Sequence, residues 1–161
     1  MMINIKHILY ATDNSKNARD AYEYARSIAH QYDAKLTLLH VIQDSFDLSV
    51  FDINMGRSSS EKKWLETRND YLEKRRQEIT DAVEAEYSKE GVNADHIIVE
   101  EGVPSTIILH MTDEKKCDFI VMGMKGRGRT LEEAIMGDTV RRVLHRSKLP
   151  VLVVEPIEEK V

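Results

Sequence analysis

The chain has 161 residues, a length at which one domain with one sizeable core is the default. Apolar residues make up 42% and charged residues 32%, too apolar a mix for a disordered chain, and the formal net charge of -5 removes the overall basic face that sequence-independent nucleic-acid binding needs. Cys117 is the single cysteine, so no internal disulfide forms and a reducing, cytoplasmic setting is expected. Cys117 opens an apolar run and reads as a small buried hydrophobe.

Two local stretches, 125–129 and 141–148, are basic enough to leave room for a small anionic ligand. Residues 1–10 lack the long apolar stretch and small-residue cleavage site of a signal peptide. No apolar run approaches the roughly 18 residues that span a bilayer.

Strand and helix patterns then alternate along the chain. Residues 6–11 are a short apolar run closed by Thr12-Asp13-Asn14-Ser15, turn and helix-capping residues, with Ser15 or Asn14 as the cap. Ala18, Ala21, Tyr22, Ala25, Ile28 and Ala29 follow at helical spacing. Residues 34–42 read as a strand buried on both faces, as in a parallel sheet. Residues 43–60 have no clear period and read as a long loop, a kind often tied to function.

Residues 61–90 predict a charged helix stopped by Gly91, with Trp64, Leu65, Tyr71, Leu72, Ile79, Ala82, Val83 and Tyr87 as its apolar stripe and a solvated opposite face. A third strand is expected over 96–100, and Pro104 or Ser105 starts a helix running through Met111. Residues 118–122 are a fourth strand, 139–146 a helix, and 151–154 a fifth strand introduced by Pro150. This alternation implies right-handed crossovers and an open α/β sheet, mostly parallel, with helices on both faces, in a single domain over 1–161.

In such a sheet ligands bind beyond the carboxyl ends of the strands, where strand order reverses. The stretch from Gly123 through Lys125, Gly126, Arg127, Gly128 and Arg129 to Gly137-Asp138-Thr139 lies at such an end. Glycines let backbone N–H groups approach a phosphate, a helix N-terminus adds its dipole, and the Lys and Arg side chains supply charge. The same glycines also suit a plain crossover turn, and both readings stand on pattern alone. A Walker loop is excluded, because no Gly-Lys-Ser or Gly-Lys-Thr follows. Asp13 reads either as an acceptor for a ribose or base, or as a turn aspartate. The six histidines form no zinc pattern with carboxylates, and no nucleophile elbow or Cys–His arrangement marks a catalytic centre.

The segments HILYATDNSKNA, LTLLHVI, EGVPSTII and DFIVMGMKGRG…IMGDTVRRVLHRSKLPVLVV resemble, in order and over nearly the whole chain, the universal stress proteins. The resemblance implies a five-stranded parallel sheet in the order 3-2-1-4-5 between two helical layers. It also implies a homodimer through the last strand, Val151, Leu152, Val153 and Val154. Nucleotide-binding members carry glycine, two residues, glycine, nine residues, then glycine followed by serine or threonine. Here Gly123 and Gly126 fit, ten residues (127–136) precede Gly137, and Asp138 takes the hydroxyl position with Thr139 one place later.

By that resemblance Ala11, Thr12 and Asp13 flank adenosine and Val41 meets the base. Gly123, Lys125, Gly126, Gly137, Asp138 and Thr139 surround the phosphates of ATP, and Met122 and Arg127 also belong to the nucleotide site. A divalent cation such as magnesium, or the nearby arginines, would offset the charge of Asp138. The implied function is ATP-dependent regulation with little or no turnover; a dimeric interaction protein without nucleotide is the alternative, and a slow ATPase a third reading. A phospho-acceptor receiver is disfavoured, since Val99-Glu100-Glu101-Gly102 stands where its acceptor aspartate belongs.

Overall fold

The computed structural model describes residues 2–43, 61–93, 96–124 and 136–157, with the backbone alone at 61–68. Five strands form one parallel sheet: β1 (His7–Thr12), β2 (Lys35–Ile42), β3 (Ile97–Glu101), β4 (Phe119–Gly123) and β5 (Val151–Val154). Four helices are described: α1 (Lys16–Tyr32), α2 (Glu61–Ser88), α3 (Pro104–Glu114) and α4 (Asp138–Arg146). The order across the sheet is β3-β2-β1-β4-β5, as the resemblance implied. The chain runs outward from β1 to β3, then returns past β1 to place β4 on its other side. A crevice opens at that reversal, between β1 and β4.

Both faces of the central strands are buried, so β1 and β4 and the middle of β2 are mostly apolar rather than alternating. Tyr10, Leu38 and Val121 point toward α1 and α2 and pack with Tyr22, Val83 and Tyr87. Leu9, Leu39 and Ile120 point the other way, against Ile108 of α3 and Val143 of α4. All of these are nearly or fully removed from water. The Asp118 carboxylate fixes the start of the β1–β4 pairing by accepting the Lys6 and His7 backbone N–H groups at 2.9 and 3.2 Å.

Helix boundaries follow local chemistry. Ser15 is the N-cap of α1, its hydroxyl accepting the Ala18 N–H at 3.1 Å. Pro104 takes the first position of α3. That helix runs on to Glu114, past the expected end at Met111, because no breaker occurs until Lys116, which turns at φ 53°. α2 ends at Ser88, and Gly91 adopts φ 83° in the turn beyond it. Strands β1, β3 and β4 each lie one residue further along than their apolar runs suggest. The closing residue pairs through its backbone whatever its side chain: Thr12 stands opposite His40, Glu101 opposite Ile42, and Gly123 opposite Val154. Of the loop expected over 43–60, residues 44–60 fall outside the described residues.

Candidate functional site

The carboxyl ends of the strands open into a cleft of 590 Å³ at the β1–β4 reversal. Ala11, Thr12 and Asp13 line it from β1, and Val41 from β2. Met122 and Gly123 line it from the end of β4, and Gly137, Asp138 and Thr139 from the start of α4. Nine of the sequence-derived candidates thus meet in one space. Lys125, Gly126 and Arg127 lie outside the described residues.

Each described position has a local cause. Thr12 Oγ1 accepts the Asn14 N–H at 3.0 Å and sits 3.3 Å from the Tyr87 hydroxyl. Asp13 Oδ1 accepts the Ser15 N–H at 3.0 Å, and Asn14 takes φ 60° between them. Asp13 is therefore a turn aspartate and a cleft residue at once; the two readings of the sequence are compatible. Gly123 lies against α1, where an added Cβ would come within 3.1 Å of the Asn17 backbone oxygen.

Gly137 caps α4, and its N–H donates to the Met124 carbonyl at 3.0 Å, tying the end of β4 to the beginning of the helix. Asp138 occupies the first turn of α4, where a carboxylate complements the helix dipole. It pairs with Arg141 one turn on, and both side chains are more than half exposed. Its charge is thereby partly compensated and faces water.

The sequence reading missed one whole wall. Tyr71, Leu72, Arg75 and Ile79 of α2 also line the cleft, and so do Glu101, Pro104 and Ile108. The signal was the α2 stripe itself: Tyr71, Leu72 and Ile79 belong to it, and Arg75 stands at the same helical spacing. A side chamber of 230 Å³ adjoins the cleft, lined by Asn14, His40, Arg75, Glu78, Ile79 and Ala82.

Away from the cleft, Cys117 and His7 are buried structural residues. Burial, with Asp118 beside it, pushes the Cys117 thiol up to about 11, so it stays protonated and unreactive at neutral pH. Burial, with help from Lys35, lowers His7, whose Nε2 lies 2.8 Å from Thr37 Oγ1. Among the described residues no three His, Cys, Asp or Glu side chains converge to hold a metal ion. Among them, too, no helix is long and apolar enough to cross a membrane. The described lining of the cleft brings carboxylates, the start of α4 and apolar side chains together.

The universal stress protein family model matches residues 4–155. Universal stress protein MJ0531 of Methanocaldococcus jannaschii is 33% identical over 150 residues, covering 93% of this chain and 82% of the relative. Universal stress protein MJ0577 of the same organism is 29% identical over 160 residues, covering 96% and 98%. A solved structure of MJ0577 superposes with a TM-score of 0.70 at 26% identity, covering 98% of this chain and 100% of that one. A universal stress protein solved in complex with cAMP shares the fold at a TM-score of 0.55 and 21% identity, covering 96% and 100%. On matched length, strand order and identity together, the chain belongs to the universal stress protein family.

Proposed function

We propose that the protein binds ATP in the β1–β4 cleft and acts as a regulatory stress protein whose ligand biases dimer or partner contacts, with slow or no turnover. The observation that carries this reading is the meeting of Asp13, Val41, Gly123 and Gly137–Thr139, remote in sequence, around one 590 Å³ cleft. In it Ala11, Thr12 and Asp13 flank adenosine and Val41 meets the base. Met122, Gly123, Gly137, Asp138 and Thr139 approach the phosphates, together with Lys125, Gly126 and Arg127. The start of α4 directs backbone N–H groups and a positive dipole end toward that position, which supports an anionic ligand. The relative held with cAMP supports an adenine nucleotide.

Asp138 would be the carboxylate nearest any magnesium brought by the triphosphate, and that ion's charge would offset the repulsion between carboxylate and phosphate. The protein acts in the cytoplasm as a homodimer joined through β5. That strand is the sheet edge, with Val151, Leu152 and Val153 only partly buried, and an apolar edge of this kind is best covered by a partner strand.

Thermal unfolding with and without magnesium-ATP tests the reading. Ligand at about 100 times its dissociation constant adds about 2.7 kcal/mol, which raises Tm by roughly 5–10 °C in a chain of this size. No shift at millimolar ATP overturns it. Native mass spectrometry reads the dimer and any retained nucleotide in the same experiment.

A second reading, an interaction protein of the same fold that needs no nucleotide, is favoured by one feature. Asp138 already places a carboxylate in the first turn of α4, where the helix would otherwise receive a phosphate. Nucleotide retained through purification would decide against it.

A further inference from the structure

The α2 wall carries a charge with no assigned role. Among the described residues lining the cleft, Asp13, Glu101 and Asp138 bring carboxylates, and Arg75 is the one Arg or Lys. Arg75 also lines the side chamber, so its side chain stands at the boundary between the two spaces. Glu78 lines the side chamber but not the cleft. Arg75 Nη1 lies 3.6 Å from Glu78 Oε2, and the two side chains are 55% and 53% exposed. A pair this long and this wet is readily exchanged for another partner.

The helix beneath does not share that freedom. Arg76, the next residue, donates to the Val99 carbonyl at 3.0 Å and pairs with Glu100 at 3.9 Å. Ile79 packs against the core on the same turn as Glu78. The backbone of Arg75 is thus held while its guanidinium can rotate, and a guanidinium matches phosphate oxygens in a two-pronged hydrogen-bonded pair.

We propose that Arg75 is an exchangeable anion anchor of the cleft: it leaves Glu78 to pair with a phosphate of the bound nucleotide, and Glu78 competes with the ligand for it. Affinity for charged nucleotides is then set on α2, by residues outside the glycine motif. The inference rests on the nucleotide reading above and adds to it the group that senses ligand charge.

The test is calorimetric titration of the full chain with adenosine, AMP, ADP and ATP in magnesium buffer, for wild type, Arg75→Ala, Arg75→Lys and Glu78→Gln. Losing a charge-assisted pair should weaken ATP about ten-fold in Arg75→Ala while adenosine changes by less than about two-fold. Arg75→Lys should recover part of the loss, since lysine keeps the charge without the planar fork. Removing the competitor in Glu78→Gln should tighten ATP by about three-fold and leave adenosine unchanged. Equal losses for adenosine and ATP in Arg75→Ala would make the residue structural and overturn the proposal. Wild type that binds ATP beside an Arg75→Ala that binds it equally well overturns the Arg75 assignment and leaves the nucleotide reading intact. Wild type that binds none of the four overturns the nucleotide reading, and this inference with it.

Discussion

An added Cβ at Gly123 would stand 3.0 Å from Asn17 Oδ1 and 3.1 Å from both Asn17 Cγ and the Asn17 backbone oxygen. Asn17 has little room to retreat: it is buried, and its Nδ2 donates to the Val154 carbonyl at 3.1 Å. Gly123→Ala should therefore cost about 1–3 kcal/mol through overpacking, measured as a lowered midpoint in denaturant without ligand; an unchanged midpoint would show that α1 yields. The sequence offered two reasons for this glycine, a phosphate approach and a crossover turn. The structural reason, the closeness of α1, was invisible because Asn17 reads there as an ordinary helix residue. Asp138 was legible as a departure from the family pattern, but its partner Arg141 was not, since a carboxylate and a guanidinium one turn apart have meaning only once the helix start is fixed. Two like charges about 4 Å apart in water oppose each other by roughly 1 kcal/mol. Asp138→Ser should accordingly tighten ATP about five-fold in magnesium-free buffer by the same estimate, read by titration. Weaker binding would mean that the carboxylate assists, through a metal ion.

At the scale of elements, α2 is the part that sequence pattern described least well. Its apolar stripe was visible, and Val83 and Tyr87 are indeed fully buried, yet Tyr71 is half exposed on the cleft wall. The charged face was expected to be solvated. Among the described residues most of it is exposed, but near its end Glu86, with Glu90 in the turn beyond α2, pairs with Arg19 of α1 at 3.0 and 3.3 Å, and Arg26 reaches Glu90 at 3.2 Å. Charge density alone cannot tell a solvated face from one that meets a complementary neighbour; only topology decides which helix lies alongside. Beneath these pairs Tyr10, Tyr22 and Tyr87 meet in tilted and edge-to-face contacts with ring centroids 5.0–6.1 Å apart. The Tyr10 and Tyr87 hydroxyls lie 3.0 Å apart, and the Arg19 guanidinium covers the Tyr87 ring at 5.3 Å. Tyr87 therefore ties α2 to α1 and to the end of β1. Tyr87→Ala should lose about 3–5 kcal/mol and raise amide exchange along α2 before the sheet. Tyr87→Phe, which keeps the ring, should lose about 1 kcal/mol. Equal losses in the two variants would show that the ring packing matters less than the hydroxyls.

For the molecule as a whole, the α/β alternation was plain in the chain, because short apolar runs alternate with stretches of helical spacing between clear turn residues. Strand order was not: the apolar runs that become β4 and β5 carry no mark of which neighbour each will take, and the order came from family resemblance. Global stability should depend on pH through His7. The folded state lowers the affinity of this buried imidazole for a proton, whereas the unfolded chain protonates it near its ordinary value. The stability tied to neutral His7 is thus present above about pH 6.5 and is lost as pH falls through the lower folded value. Unfolding free energy should decline as pH falls below about 6.5, and His7→Gln should flatten part of that slope. An identical slope in the variant would assign the decline to other groups.

The Val154 carbonyl accepts two hydrogen bonds, from the Met124 backbone N–H at 2.8 Å and from Asn17 Nδ2 at 3.1 Å. One oxygen on the margin of the sheet thereby holds both the residue after Gly123 and the side chain behind it. If the proposed β5 dimer and the proposed nucleotide site both form, that oxygen would link their two equilibria, and such linkage is reciprocal. Whatever factor ATP applies to subunit dissociation, subunit association applies to ATP. The apparent affinity for nucleotide then becomes a function of protein concentration, and the cell could tune the response by how much of the protein it makes.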